Sequence, residues 1–190
     1  MPLENQPGPA EIRTFTADPS GRRSAGAAVS LYTPAERARR DSTVWTLVQG
    51  VLAPVQFIIF LASLALVLRY LATGEGAFAA DVSIIVKTLT LYTIMVTGSI
   101  WEKVVFGKWL FAPAFFWEDV FSMLVLALHT AYLVMLLGGI GSIEARMGVA
   151  LAGYGAYVIN AGQFLWKLRV ARLQGAGSQA DSHGALAVAS

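Results

Sequence analysis

The stretch VWTLVQGVLAPVQFIIFLASLALVL, from Val44 to Leu68, contains 25 consecutive residues without a charged side chain. About 20 apolar residues are enough for a helix to cross the hydrocarbon core of a bilayer, so this stretch predicts a membrane-spanning helix. Three further apolar stretches occupy residues 82–101, 117–137 and 147–166. The sequence therefore predicts an all-α integral membrane protein with four transmembrane helices.

The composition indicates the same class of protein. Of the 190 residues, 56% are hydrophobic and 14% are charged, and the mean hydropathy is +0.59. A net charge of +2 is too small to indicate a nucleic-acid partner, and the absence of cysteine excludes disulfides, thiolate-held zinc and cysteine-ligated iron–sulfur clusters. We expect a membrane domain at 31–174 between two flexible tails, a disordered N-terminal tail at 1–30 and a C-terminal tail at 175–190.

Two local patterns refine this outline. Residues 104–117, between the second and third spans, are apolar and aromatic but too few to cross a bilayer, and they contain Lys108 and Pro113. This segment predicts an interfacial or re-entrant aromatic loop. In the fourth span, small residues recur at every fourth position, and we expect their face to be buried against another helix; they are Gly148, Ala152 and Ala156.

Lysine and arginine concentrate on one side of the predicted spans. That side holds six arginines before the first span, Lys103 and Lys108 in the middle loop, and Lys167, Arg169 and Arg172 after the fourth span, whereas the other side holds Arg69 and Arg146. The positive-inside rule then predicts that both termini face the cytoplasm. All five tryptophans fall on the same side, which indicates either a one-sided aromatic belt or a site for a large aromatic ligand; they are Trp45, Trp101, Trp109, Trp117 and Trp166.

Three carboxyl groups converge on this side, beside the aromatic loop. Glu102 ends the second span, and Glu118 and Asp119 begin the third. Neighbouring carboxyl groups can divide into a proton donor and a proton acceptor, which makes them candidates for acid–base chemistry. The alternative is that Glu118 and Asp119 only stabilise the N-terminus of a helix, whose dipole favours negative charge.

A polar stripe continues along the third span. His129 follows Glu118 by eleven residues, or about 1100° of helical rotation, so the two side chains share a face with Ser122. His129 is either hydrogen-bonded to a neighbouring helix, or a proton carrier, or a ligand for the metal of a macrocycle.

We expect Lys87 to extend to the non-cytoplasmic interface. Further polar candidates are Gln49 and Gln56 in the first span and Tyr157, Asn160 and Lys167 in the fourth.

The chain resembles the vinyl bacteriochlorophyllide hydratase family of phototrophic bacteria over about 31–174. The resemblance is carried mainly by WTLVQGVLAPVQF at 45–57, LYTIMVTGSIWEKVVFGKWLFAPAFFWEDVFS at 91–122 and YVINAGQFLWKLR at 157–169. It implies a hydro-lyase that adds water across the 3-vinyl group of chlorophyllide a or 3-vinyl bacteriochlorophyllide a, giving the 3-(1-hydroxyethyl) pigment in bacteriochlorophyll a biosynthesis. It also implies a magnesium chlorin substrate, no cofactor, and a place in the cytoplasmic or intracytoplasmic photosynthetic membrane, among lipids and other pigment-biosynthesis enzymes.

For such a reaction, Glu102 and Glu118 are our candidates for the proton-donating and water-activating groups, in an order left open, with Asp119 holding one of them in place. His129 is the candidate axial ligand to the substrate magnesium, and the chain has no metal of its own. The remaining candidates for pigment contacts are Trp101, Trp109, Trp117, Ser122, Tyr157 and Asn160. Two other functions stay open: a non-catalytic tetrapyrrole carrier or photosynthetic assembly factor, and a small membrane transporter.

Overall fold

The computed structural model describes residues 31–188, with side chains as far as residue 173, and this part of the chain folds into five α-helices. They are α1 Pro34–Ser42, α2 Val44–Thr73, α3 Ala77–Phe106, α4 Phe116–Leu137 and α5 Ile143–Val188. The all-helical class is confirmed. The expected N-terminal tail, 1–30, lies outside the described residues. The flexibility of 175–190 stays a prediction, because for this segment only the backbone of α5 as far as residue 188 is described.

Three helices, α2, α3 and α4, are long and apolar enough to cross a membrane. They contain the first three predicted spans and extend some of them at their ends. The fourth predicted span lies inside α5, which does not belong to these three, and Asn160, Gln163 and several glycines make this helix less apolar.

The four long helices form two antiparallel hairpins that pack against each other. α2 and α3 are joined by a tight turn in which Gly74 and Gly76 have φ of 74° and 84°, a region that favours glycine. Within the hairpins, α2 packs mainly on α3 and α4 mainly on α5, and contacts of α3 with α4 and of α2 with α5 close the bundle. The core between them contains Phe60, Val67, Ile84, Leu91, Val125, Tyr132, Met147 and Tyr154.

Hydrogen bonds between side chains fix the register of each hairpin. Gln49 Nε2 donates to Thr97 Oγ1 over 2.8 Å between α2 and α3. Asn160 Nδ2 donates to Ser122 Oγ, also over 2.8 Å, between α5 and α4. Such interhelical bonds between polar side chains are expected where apolar faces alone specify register weakly.

The expected small-residue face of α5 is buried only in part. Ala156 is buried as expected, but Gly148 and Ala152 are exposed, and the buried stripe also includes Met147, Ala150, Gly153, Tyr154, Tyr157 and Asn160. The helix is turned so that its larger side chains enter the core, while Gly153 alone provides the close approach. An added Cβ at Gly153 would lie 3.0 Å from the His129 ring.

The short helix α1 packs against the C-terminal end of α3. Thr33 caps α1 through a capping box, in which its backbone N–H donates to Glu36 and its hydroxyl accepts from the Glu36 N–H. Arg39 Nε donates to the Val105 carbonyl over 2.8 Å, at the C-terminal end of α3. The N-terminal end of the described chain is therefore tied to the connection between α3 and α4.

That connection, residues 107–115, is shorter than the expected aromatic loop, because 104–106 complete α3 and 116–117 begin α4. It starts at Gly107, which has φ of 79°, and it buries Ala112 and Phe115 while Trp109 stays exposed. Its position at a membrane interface stays a prediction.

Candidate active site

All five tryptophans lie at one end of the bundle, which we call the tryptophan end. It comprises the start of α2, the end of α3, the connection and the start of α4, together with Trp166, whose neighbour Lys167 contacts Glu118. Trp101 packs edge-on against Phe115 at 5.6 Å and donates its Nε1–H to Thr46, so it supports the site from within. The most exposed tryptophans are Trp109, Trp117 and Trp166, at 59%, 65% and 74%.

The three predicted carboxyl groups are together at this end, and all are buried, at 4–5% exposure; Glu102, Glu118 and Asp119 form the carboxylate cluster. Two successive backbone amides of the connection point into it. Ala112 N–H donates to Glu102 Oε2 over 3.1 Å, and Phe111 N–H donates to Asp119 Oδ2 over 2.7 Å. Phe111 has a φ of 58°, unusual for a residue other than glycine, and this turn aims both amides at the carboxyl groups.

The cluster contains two different carboxyl environments. The Glu102 and Asp119 carboxyl groups lie close enough to interact with each other, and a proton on either one would turn the repulsion between two carboxylates into a hydrogen bond. Glu118 Oε2 instead lies 2.5 Å from Lys167 Nζ, and Lys167 also donates to the Ala114 carbonyl. Lys167 therefore compensates a negative charge on Glu118.

Glu118 and Asp119 lie in the first turn of α4, where the helix dipole favours their negative charge, so stabilisation of the helix N-terminus stays an alternative role. Both residues also have partners beyond this turn, since Asp119 accepts from Phe111 N–H and Glu118 contacts Lys167. Within residues 31–173 no three His, Asp or Glu side chains are arranged to hold a metal ion.

A groove of about 620 Å³ opens beside Glu118 and Lys167, between the first turns of α4 and the distal part of α5. Its walls include Leu31, Trp117, Trp166 and Val170. Two of the exposed tryptophans thus line the same groove as the ion pair, which combines flat apolar surfaces with two charged groups. Such a combination is typical of pockets that hold largely apolar ligands.

The predicted polar stripe of α4 points into the bundle, as expected. Ser122 is buried and accepts from Asn160, and His129 is buried with its Nδ1 2.8 Å from the Val125 carbonyl. His129 lies about 16 Å along α4 from Glu118 and packs beside Tyr154, so it belongs to the middle of the bundle. Its role as a magnesium ligand stays a prediction.

The expected extension of Lys87 to the interface is wrong. Lys87 has no exposed surface, and its Nζ lies 3.7 Å from the centre of the Tyr157 ring. The physical reason is the length of α3, which begins at Ala77 and so places Lys87 about 15 Å from the start of the helix.

Of the residues that line the groove, Trp117 and Glu118 belong to the predicted site. Lys167 was only a further polar candidate, and Trp166 was only one of the five tryptophans on that side. The remaining lining residues were not predicted: Leu31, Gly162, Gln163 and Val170. A weak signal for Lys167 was present in the sequence, because it follows the buried Asn160 by seven residues and therefore lies on nearly the same face of α5. Nothing in the sequence identified Glu118 as its partner, since the two residues are 49 positions apart.

Comparison with known proteins assigns the family. Residues 32–170 match the family described as 2-vinyl bacteriochlorophyllide hydratase. A 2-vinyl bacteriochlorophyllide hydratase of Cereibacter sphaeroides is 70% identical over 143 residues, covering 75% of this chain and 89% of the relative. The protein of the same name from Rhodobacter capsulatus is 67% identical over 153 residues, covering 80% and 89%. No solved structure matches. The chain belongs to the 2-vinyl bacteriochlorophyllide hydratase family.

Proposed function

We propose that this protein is a hydro-lyase that adds water across the vinyl group of a magnesium chlorin in bacteriochlorophyll synthesis, giving a 1-hydroxyethyl group. The resemblance numbers this substituent 3, and the relatives' names number it 2. The observation that carries the proposal is the buried carboxylate cluster with its two environments, next to a groove flanked by tryptophans. Chlorophyllide a and 3-vinyl bacteriochlorophyllide a are the candidate substrates.

The cluster supplies the two groups that vinyl hydration requires. A proton is added to the terminal vinyl carbon, leaving a cation that the macrocycle delocalises, and water captures this cation and releases a proton. The proximity of the buried Glu102 and Asp119 carboxyl groups supports this pair as the acid, because a proton held between them would relieve their mutual repulsion. The charge on Glu118, compensated by Lys167, supports Glu118 as the group that accepts the proton of water. General acid–base help of this kind contributes about 10²–10⁴ in rate.

The groove is the proposed binding place of the macrocycle. Trp117 and Trp166 offer flat aromatic surfaces of the kind that stack on a planar ring system. Glu118 lines the same groove, so a vinyl group at the edge of the pigment is within reach of the cluster. Trp109, exposed on the connection, is a further candidate contact at the same end.

The membrane arrangement follows from the same contacts. We assign the fourth span to α5, since its contacts with α4 extend from Gly153 beside His129 to Lys167 at Glu118. The concentration of lysine and arginine at the tryptophan end supports a cytoplasmic position for this end and for both termini. The protein is then a multi-pass component of the bacterial inner or intracytoplasmic photosynthetic membrane, with its site in the cytoplasmic half and lipids at its outer surface.

The activity is tested by incubating the purified protein with chlorophyllide a. We expect a mass gain of one water molecule together with loss of the vinyl contribution to the absorption spectrum. The absence of this product with every 3-vinyl pigment would overturn the proposal, and pigment bound without modification would favour a carrier.

The carboxyl roles are tested by Glu118→Gln and Glu102→Gln, each expected to lower turnover by about 10²–10⁴. Glu144→Gln is the matched control, because Glu144 is an exposed carboxylate in the first turn of α5 at the opposite end of the bundle. Near-normal turnover in both cluster variants would contradict the acid–base assignment.

The candidate magnesium ligand needs a separate measurement. His129 is 1% exposed, so a pigment that reached it would have to separate the α4–α5 interface. If His129 is the ligand, His129→Ala weakens pigment binding while the protein stays folded. Unchanged pigment affinity in the folded variant would remove this assignment.

A further inference from the structure

Each of the four long helices contributes a buried polar side chain that has at least one unpartnered polar atom. They are Gln56 of α2, Lys87 of α3, His129 of α4 and Asn160 of α5, exposed by 2%, 0%, 1% and 9%. Five of their polar atoms have no hydrogen-bond partner within the part of the chain that the structure describes: Gln56 Nε2 and Oε1, Lys87 Nζ, His129 Nε2 and Asn160 Oδ1. We call these four residues the interior polar column.

The column leads from the middle of the bundle to the carboxylate cluster. Lys87 Nζ lies over the Tyr157 ring, which packs at 4.8 Å on the ring of Phe60. Gln56 lies about one turn from Phe60, and Asn160 about one turn from Tyr157, both toward the tryptophan end.

The end of the column nearest the cluster is the hydrogen bond between Asn160 and Ser122. Asn160 donates to Ser122, which lies about one helical turn from Glu118. The polar groups therefore approach the cluster from inside the bundle, whereas the groove approaches Glu118 from outside.

The chemistry of the unpartnered atoms indicates the kind of ligand that would satisfy their hydrogen bonding. A carbonyl oxygen only accepts, so His129 Nδ1 donates to Val125 and Nε2 of the neutral ring is an acceptor. Gln56 Oε1 and Asn160 Oδ1 are acceptors as well, whereas Lys87 Nζ and Gln56 Nε2 are donors. An anion would be unfavourable beside the three acceptor atoms, and a metal cation would be repelled by the lysine ammonium group. Water satisfies both kinds of group, as buried waters do in other proteins.

We propose that water molecules bound along the interior polar column supply the water that the hydration consumes, while the pigment binds from the groove. This inference rests on the proposed function. In the proposed step the acid forms a C–H bond at the terminal vinyl carbon, and a column water forms the new C–O bond at the adjacent carbon. That water gives one proton to the carboxylate, so one water molecule is consumed and no net proton is released.

The supply of water is tested in D₂O by measuring how the carbocation formed from the vinyl group divides between hydration and loss of a proton. After deuteration of the terminal carbon, the cation either captures water or loses a proton, which returns a substrate with deuterium in its vinyl group. In Gln56→Leu we expect hydration to fall about tenfold while the ratio of vinyl exchange to hydration rises. A purely structural defect would lower exchange and hydration together and leave their ratio unchanged, which would overturn the proposal.

The matched control is Gln49→Leu, which changes the same residue type on the same helix. Gln49 is hydrogen-bonded to Thr97, so this variant loses a bond between helices but leaves the column intact. We expect its ratio of exchange to hydration to equal that of the unchanged protein. An equal rise of the ratio in both variants would also contradict the proposal.

Radiolytic hydroxyl-radical labelling detects bound water directly and needs no substrate. A negative result would therefore count against the bound water without bearing on the proposed hydratase activity. Radicals formed from bound water oxidise the side chains beside it. We expect His129 and Tyr157 to be oxidised well above Tyr132, a buried tyrosine whose hydroxyl donates to Asp81. Labelling of His129 and Tyr157 no greater than that of Tyr132 would overturn the proposal even where the Gln56 variant does not fold.

Discussion

Replacement of Lys167 by methionine is expected to destabilise the protein strongly, because it leaves the Glu118 charge buried without its partner. The Glu118 side chain is 6% exposed and the Lys167 side chain 24%, and their charged atoms are 2.5 Å apart. Removing one member of a buried ion pair costs about 3–5 kcal/mol, since the remaining charge is desolvated and uncompensated. We expect the loss of stability in Lys167→Met to lie near the lower end of this range, because the ion pair retains some contact with solvent.

The reverse change, Glu118→Gln, is expected to cost less. Lys167 keeps its bond to the Ala114 carbonyl, and its flexible stem can carry the ammonium group toward solvent. A loss of about 1–2 kcal/mol follows from one weakened charged hydrogen bond. The double variant should be more stable than the sum of the two single losses implies, with a coupling of about 1–3 kcal/mol.

The assay is the free energy of unfolding of the four proteins in detergent micelles, followed by helix content during denaturant titration. Lys103→Met is the control, because Lys103 is exposed and is expected to change stability by less than about 0.5 kcal/mol. Additive losses, or a Lys167→Met loss no larger than that of Glu118→Gln, would refute the reasoning that a buried ion pair joins α4 to α5.

Three further predictions concern packing and binding. Gly153→Ala should cost about 1–3 kcal/mol, because its Cβ would lie 3.0 Å from the His129 ring, whereas Gly155→Ala, with no atom within 4 Å, should gain up to about 1 kcal/mol; thermal unfolding of both variants measures the difference. Trp166→Ala should weaken pigment binding about tenfold, measured by fluorescence quenching, and an unchanged Kd would contradict the proposed groove. Asp81→Asn should cost about 1–3 kcal/mol in unfolding experiments, because it weakens contacts with α4 and α5, while the folded fraction keeps its turnover.

The membrane class could be predicted from the sequence because hydropathy adds along the chain. The absence of charge from Val44 to Leu68 is sufficient for a span, whatever packs beside it. The ends of the helices were predicted less accurately than their positions, because a helix continues beyond the hydrocarbon core until a residue such as Gly74 or Gly107 ends it. The predicted buried face of α5 was right at Ala156 and wrong at Gly148 and Ala152, because small residues occur on several faces of this helix and only packing against α4 selects Gly153.

The sequence by itself determined that a helical membrane protein places its tryptophans at one end together with Glu102, Glu118 and Asp119, because the turns between spans bring these positions together. Only the tertiary structure decided how the carboxyl groups are divided. Helix rotation brings Lys167 to Glu118 and leaves Glu102 with Asp119, and the same packing buries Lys87 among aromatic rings. Such pairings depend on the orientation of each helix about its own axis, and a linear pattern of hydropathy does not specify that angle.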